Sequence, residues 1–139
     1  MLVFYSLPYS APRLAELVNL YPQLIARHVE VIAIMLQGAT VVPPPDLPFV
    51  LVKDEGQEVA NTYLLFRRTL SNPGRTVLGE APPHMEFLLD RFGYMRERWL
   101  ALDDAHSSGH WRSSAFLLGE IDAINREPRI LPPPDAHVH

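Results

Sequence analysis

The side chains best equipped for chemistry in this chain are its six imidazoles, at positions 28, 84, 106, 110, 137 and 139. His137-Val138-His139 places two of them one residue apart. Side chains of an extended chain alternate with period two, so both rings leave on the same side. That is the spacing of a two-point metal clamp, to which Asp135 could add an oxygen. His84 is followed by Met85. Two imidazoles favour Cu(II) or Zn(II), and adding a thioether shifts preference toward Cu(I). The candidate metal ligands are therefore His137 and His139, with His84 and Met85 joining them if the C-terminal segment folds back. His106 and His110 have helical i,i+4 spacing, but Ser107, Ser108 and Gly109 between them argue against a helix. His28 follows Arg27 at an expected helix end, where a cation suits the helix dipole.

Other chemistries find little support. The chain has no cysteine, and thiol–disulfide exchange requires a thiolate. Ser113, Ser114, Asp103, Asp104 and His106 lie close in sequence, yet no G-x-S-x-G nucleophile elbow occurs. No P-loop and no G-x-G-x-x-G is present either. Arg67, Arg68 and Arg75 form a small basic group of the kind found on solvated surfaces. Twelve basic against sixteen acidic side chains leave a net charge of −4. Nucleic-acid binding needs a cationic surface to displace counterions, so nucleic acid is not an expected partner.

The elements that must position these residues follow from apolar spacing. Its 139 residues, 47% of them hydrophobic and 20% charged, suit one globular domain. Leu2–Tyr5 predicts a short buried strand. Ser10 can cap a helix with Pro12 in its first turn. Leu14, Leu17, Val18, Tyr21, Leu24 and Ile25 continue that helix, with a kink expected at Pro22. Val29–Leu36 is β-branched and apolar, which predicts a central strand and completes a β-α-β unit. Phe49–Val52 predicts a further strand, and Asp54 can cap a helix reaching Thr62. Tyr63–Phe66 fits either the end of that helix or a strand. Residues 69–83 carry Asn72-Pro73-Gly74, Gly79 and Pro82-Pro83 and predict an irregular connection.

Met85–Leu89 and Tyr94–Leu100 predict a hairpin turned at Asp90–Gly93. Trp111–Ile124 has the period of an amphipathic helix. Residues 1–126 thus form the domain, and 127–139 a Pro-rich extended tail. No apolar run approaches the roughly 20 residues of a membrane span. The N-terminus has no basic n-region, so no signal peptide is expected, and its abrupt apolar start suggests a domain cut from a longer protein.

Several segments resemble thioredoxin-like proteins of the TlpA class. Tyr5-Ser6-Leu7-Pro8-Tyr9-Ser10-Ala11-Pro12-Arg13 fits that family's W-A-T-W-C-x-P-C-R segment without gaps. Tyr9 and Pro12 then stand in the two cysteine positions. Residues 24–36 resemble the family's helix end and following strand. Phe87-Leu88-Leu89-Asp90-Arg91-Phe92-Gly93-Tyr94-Met95 resembles its hairpin. Counting back from Asp90, His84 falls at the family's cis-proline position and Pro83 one residue before it. Residues 63–68 before a long loop and a histidine resemble the Sco copper chaperones. Residues 83–90 together with 132–139 resemble the soluble domain attached to bacterial CopD-type copper-resistance proteins.

The resemblance implies a thioredoxin-like α/β fold, a central mixed sheet with helices on both faces. With Tyr9 and Pro12 in the redox positions, it implies no oxidoreductase or peroxidase activity. It implies a non-catalytic domain of an envelope copper-handling protein, periplasmic or membrane-associated. Copper, a membrane-embedded copper-resistance domain or another envelope protein are the partners it implies. The alternative is a thioredoxin-like interaction module without metal.

Overall fold

A computed structural model describes residues 1–36, 47–53, 58–63, 82–101 and 113–128. They form a five-stranded mixed sheet in the order β3-β2-β1-β4-β5. Strand β1 (Leu2–Tyr5) leads into helix α1 (Ala11–Ala26), and β2 (Ile32–Met35) returns parallel to β1. Strand β3 (Val50–Lys53) extends the sheet parallel to β2. Helix α2 spans 58–63. Strands β4 (His84–Leu89) and β5 (Met95–Leu100) form the antiparallel hairpin, with β4 antiparallel to β1. Helix α3 (Ser114–Arg126) closes the described chain.

Strand alternation sorts the core into two layers. Val3, Tyr5, Ala33 and Leu88 face α1 and α3, where they meet Leu14, Leu17, Leu24, Leu117 and Ile121. Phe4, Ile34, Met85, Phe87 and Leu100 face the other way and meet Ala60 and Tyr63 of α2. Helices therefore cover both faces. The β-α-β opening and the hairpin beyond it are arranged as the sequence predicts.

The differences are local and have physical causes. Ser10 occupies the N-cap position of α1 but makes no side-chain cap bond, because its hydroxyl is engaged elsewhere. Helix α1 runs on through Pro22 to Ala26, giving up the one hydrogen bond that Pro22 cannot donate. Its end is a Schellman motif. His28 adopts φ 60° and donates its N–H to the Ile25 carbonyl at 2.9 Å, while the Val29 N–H reaches the Leu24 carbonyl at 3.0 Å. Val29 is thus spent on the helix stop, and β2 begins at Ile32 rather than Val29. Tyr63 belongs to α2, which settles the helix-or-strand alternative at that residue.

Helix α3 begins at Ser114, where the Ser113 hydroxyl accepts the Phe116 N–H at 3.4 Å. Trp111, like residues 54–57, 64–81 and the tail from 129, lies outside the described residues. In the hairpin turn, Gly93 has φ 86°, and the Asp90 carboxylate accepts the Phe92 and Tyr94 N–H groups at 2.9 and 3.0 Å. The cis peptide bond among the described residues is Leu7–Pro8, not a bond at Pro83 or His84. No helix among the described residues is long and apolar enough to cross a membrane.

Candidate functional site

The first turn of α1 faces the start of β4, and a chain of buried polar groups joins them. His84 and Glu86 are two residues apart on β4, so both point to the α1 face. The His84 Nδ1 lies 2.9 Å from Ser10 Oγ, and its Nε2 lies 2.8 Å from Glu86 Oε1. Arg13, one turn into α1, donates from Nε to Glu86 Oε1 at 2.8 Å and from Nη2 to Glu86 Oε2 at 3.1 Å. Its Nη1 donates to Glu16 Oε2 at 3.0 Å. Glu86 has no solvent contact, His84 and Ser10 are each 1% exposed, and Arg13 is 8% exposed. The Trp99 ring of β5 sits over this group, 5.1 Å from the His84 ring and 6.0 Å from the Arg13 guanidinium carbon.

The charges follow from this geometry. Burial alone would raise the Glu86 carboxyl, but hydrogen bonds from His84 and Arg13, and the Arg13 charge, hold it down at about 2. Burial likewise works against the Arg13 charge, and its bonds to Glu86 and Glu16 outweigh that effect. An ionised Glu86 can only accept, so the bonding assigns a proton to His84 Nε2. The other ring nitrogen, Nδ1, shares a hydrogen bond with the Ser10 hydroxyl. Ser10 Oγ also accepts the Ser6 N–H at 3.1 Å and lies 3.2 Å from the Pro83 carbonyl. Ser6 ties the same carbonyl from its own hydroxyl at 2.7 Å.

Serine, imidazole and carboxylate in series resemble a hydrolytic triad in connectivity. Among the described residues, the backbone beside Ser10 does not complete one. An acyl-transfer site needs free N–H donors for the oxyanion. Here the Ser10 N–H goes to the Ser6 carbonyl at 2.8 Å, the Ala11 N–H goes to the Pro8 carbonyl at 3.1 Å, and Pro12 has none. What the chain of bonds does is fix the α1 start against β4.

Above it lies an open cleft of about 240 Å³, with Tyr9, Pro12 and Glu16 at the rim and Arg13, His84 and Trp99 below. Tyr9 is 45% exposed, so it borders the cleft rather than packing over the helix turn. A second hollow of about 270 Å³ lies at the other end of β1, between Met1, Glu30 and Ile124. The polar side chains lining it, His28, Glu30, Asp90, Arg91 and Asn125, are exposed or half-buried rather than joined in a buried network. Asp90 there is used by the hairpin turn, and Arg91 by the Ile124 carbonyl at 3.4 Å.

Of the predicted metal ligands, the two among the described residues, His84 and Met85, do not converge. His84 and Met85 lie on opposite faces of β4. Met85 is fully buried in the layer beneath α2, and both nitrogens of His84 are hydrogen-bonded. His137 and His139, like His106 and His110, lie outside the described residues. Among the described residues no group of three or more His, Asp or Glu is placed to hold a metal ion. Ser10, Arg13, Glu86 and Trp99 were not expected as site residues. The alternation in His84-Met85-Glu86 is a signal that could have paired the first and third of these on one strand face.

No match emerges from comparison with family models, curated proteins or solved structures.

Proposed function

We propose that this chain is a thiol-free thioredoxin-like domain that binds a partner protein at the cleft between the α1 start and β4. The observation that carries this reading is the cleft's position. It opens beside Tyr9 and Pro12, the two residues that the resemblance places where thioredoxin-like enzymes keep their cysteines. The strand order β2-β1-β4-β5, with α1 and α3 on one face and α2 on the other, supports the fold assignment. The floor of the cleft is a fully bonded buried network, which suits a rigid docking surface better than a reacting group. The partner implied by the CopD-type resemblance is a bacterial envelope protein, and the setting is copper handling.

Site-specific photo-crosslinking tests this. A benzophenone side chain at Tyr9 should capture an envelope protein in cells expressing the full-length protein. The same group at exposed Gly119 of α3 should not. Equal capture at both positions would remove the cleft from the argument.

Copper binding is a second proposal and rests on the His137-Val138-His139 spacing alone. Replacing both histidines with alanine should remove most Cu(II) uptake in a calorimetric titration, and unchanged uptake would refute the clamp. His84→Ala is expected to leave uptake unaltered, because its ring nitrogens are already engaged.

A further inference from the structure

The outer edge of β3 is open. Strand β3 pairs with β2 on one side, and among the described residues no strand pairs with the other. Val50, Leu51 and Val52 are 52%, 46% and 39% exposed, large values for apolar side chains in a sheet. Exposed apolar edges of this kind are sites of strand addition.

The backbone orientation can be read from the ladder. Val50 donates its N–H to the Val31 carbonyl at 3.3 Å, so Val50 and Val52 turn their polar groups toward β2. Leu51 and Lys53 therefore turn theirs outward. The side chains alternate as well. Val50 and Val52 pair in register with Ile32 and Ile34 and share the α2 face, while Leu51 pairs with Ala33 and shares the α1 face.

We propose that β3 pairs antiparallel with β3 of a second copy of this chain, about a two-fold axis through Leu51. The sequence Val50-Leu51-Val52 reads the same in both directions. With the axis on Leu51, each outward-facing Leu51 meets its own copy and exchanges both backbone hydrogen bonds with it. Val50 of one copy faces Val52 of the other on the α2 side. These are β-branched cross-strand pairs of a stabilising kind. Lys53 falls opposite residue 49 of the second copy, so no like charges face each other across the ribbon. An isologous contact of this sort closes as a dimer and leaves no growing edge. The shortness of the strand limits its strength. Four residues bury well under the roughly 1,200 Å² of a stable interface, so a weak, concentration-dependent dimer is expected.

Sedimentation velocity on the intact chain, from about 10 µM to about 1 mM, covers the range in which a weak dimer forms. The wild-type chain should pass from monomer to dimer across the range. Leu51→Lys places two ammonium groups opposite each other on the axis and should weaken dimerisation at least about tenfold. Leu51→Pro removes only an outward-facing N–H, which an edge strand tolerates, and should act in the same direction. Circular dichroism of both variants should match the wild type. Amide exchange at Leu51 in the wild type should slow as concentration rises, a readout that needs no variant. A monomer at every concentration would overturn the proposal. So would a dimer that both folded variants leave intact, or one whose protection maps away from 50–53.

Discussion

Glu86 is an ionised carboxylate with no solvent contact, held by His84 on one side and by Arg13 on the other. Such a group stabilises the fold only while it stays charged. Its carboxyl is lowered from 4.5 to about 2, so between those values the unfolded chain binds a proton that the folded chain does not. Stability from this residue is therefore complete above about pH 4.5 and is lost as the pH falls toward about 2. The loss expected is on the order of 3 kcal/mol. Urea midpoints measured across that window should fall for the wild type and fall less for Glu86→Gln.

Glu86→Ala at neutral pH is a harsher change. It takes the buried partner from the Arg13 guanidinium, leaving it the rim carboxylate of Glu16, and should cost about 3 kcal/mol, seen as a lowered thermal midpoint. The sequence displays the ingredients of this network but not their meeting. Arg13 and Glu86 are 73 positions apart, and only the approach of α1 to β4 joins them. His84 invited a metal reading because its neighbour is a thioether. Strand alternation turns that thioether to the opposite face and gives the imidazole to Glu86 instead.

At the scale of elements, the end of α1 shows what a short sequence pattern can and cannot disclose. The apolar spacing from Leu14 to Ile25 marks the helix clearly, and Arg27-His28 marks its end. That His28 would take a left-handed backbone, φ 60°, has no signature, since glycine is the usual residue there. A side chain in that region costs roughly 1–2 kcal/mol, while glycine loses about 0.5–1 kcal/mol of chain entropy. His28→Gly should accordingly raise stability by about 0.5–1 kcal/mol, measurable by chemical denaturation. A drop would mean that the His28 side chain makes a contribution beyond the backbone. The hairpin was more legible, because Asp90 and Gly93 have the types that a tight turn demands. The β2 start was less so, because Val29 looks like strand and serves as helix stop.

For the whole molecule, topology was the most readable feature. A β-α-β unit with a crossover of helical length allows parallel pairing, and a turn as short as Asp90–Gly93 forces antiparallel pairing. Together they fix four of the five strands. What the chain does at the cleft was not readable, because no single motif there is chemical by itself. The absence of cysteine still makes a prediction for the molecule as a unit. The purified chain should show no disulfide-reductase or peroxidase turnover above a buffer blank. Tyr9→Cys combined with Pro12→Cys should not restore full activity, because His84 rather than proline opens β4 and is bonded into the floor of the cleft. Turnover by the wild type, with contaminants excluded, would refute the reading of the fold as retained for binding.

The contact between the ends of α1 and α3 sets a length for anything attached beyond it. Asn125 donates to the Arg27 carbonyl at 2.9 Å, so α3 finishes beside the C-terminal end of α1. The cleft lies at the other end of that 16-residue helix, about 24 Å away. His137 is nine residues beyond Pro128, which limits its distance from Pro128 to at most about 30 Å. The cleft therefore lies near the limit of that covalent reach. A metal clamp at His137 and His139 and a docking cleft at Tyr9 would therefore operate as two independent stations on one domain. Copper loading at one is expected to leave occupancy of the other largely unchanged.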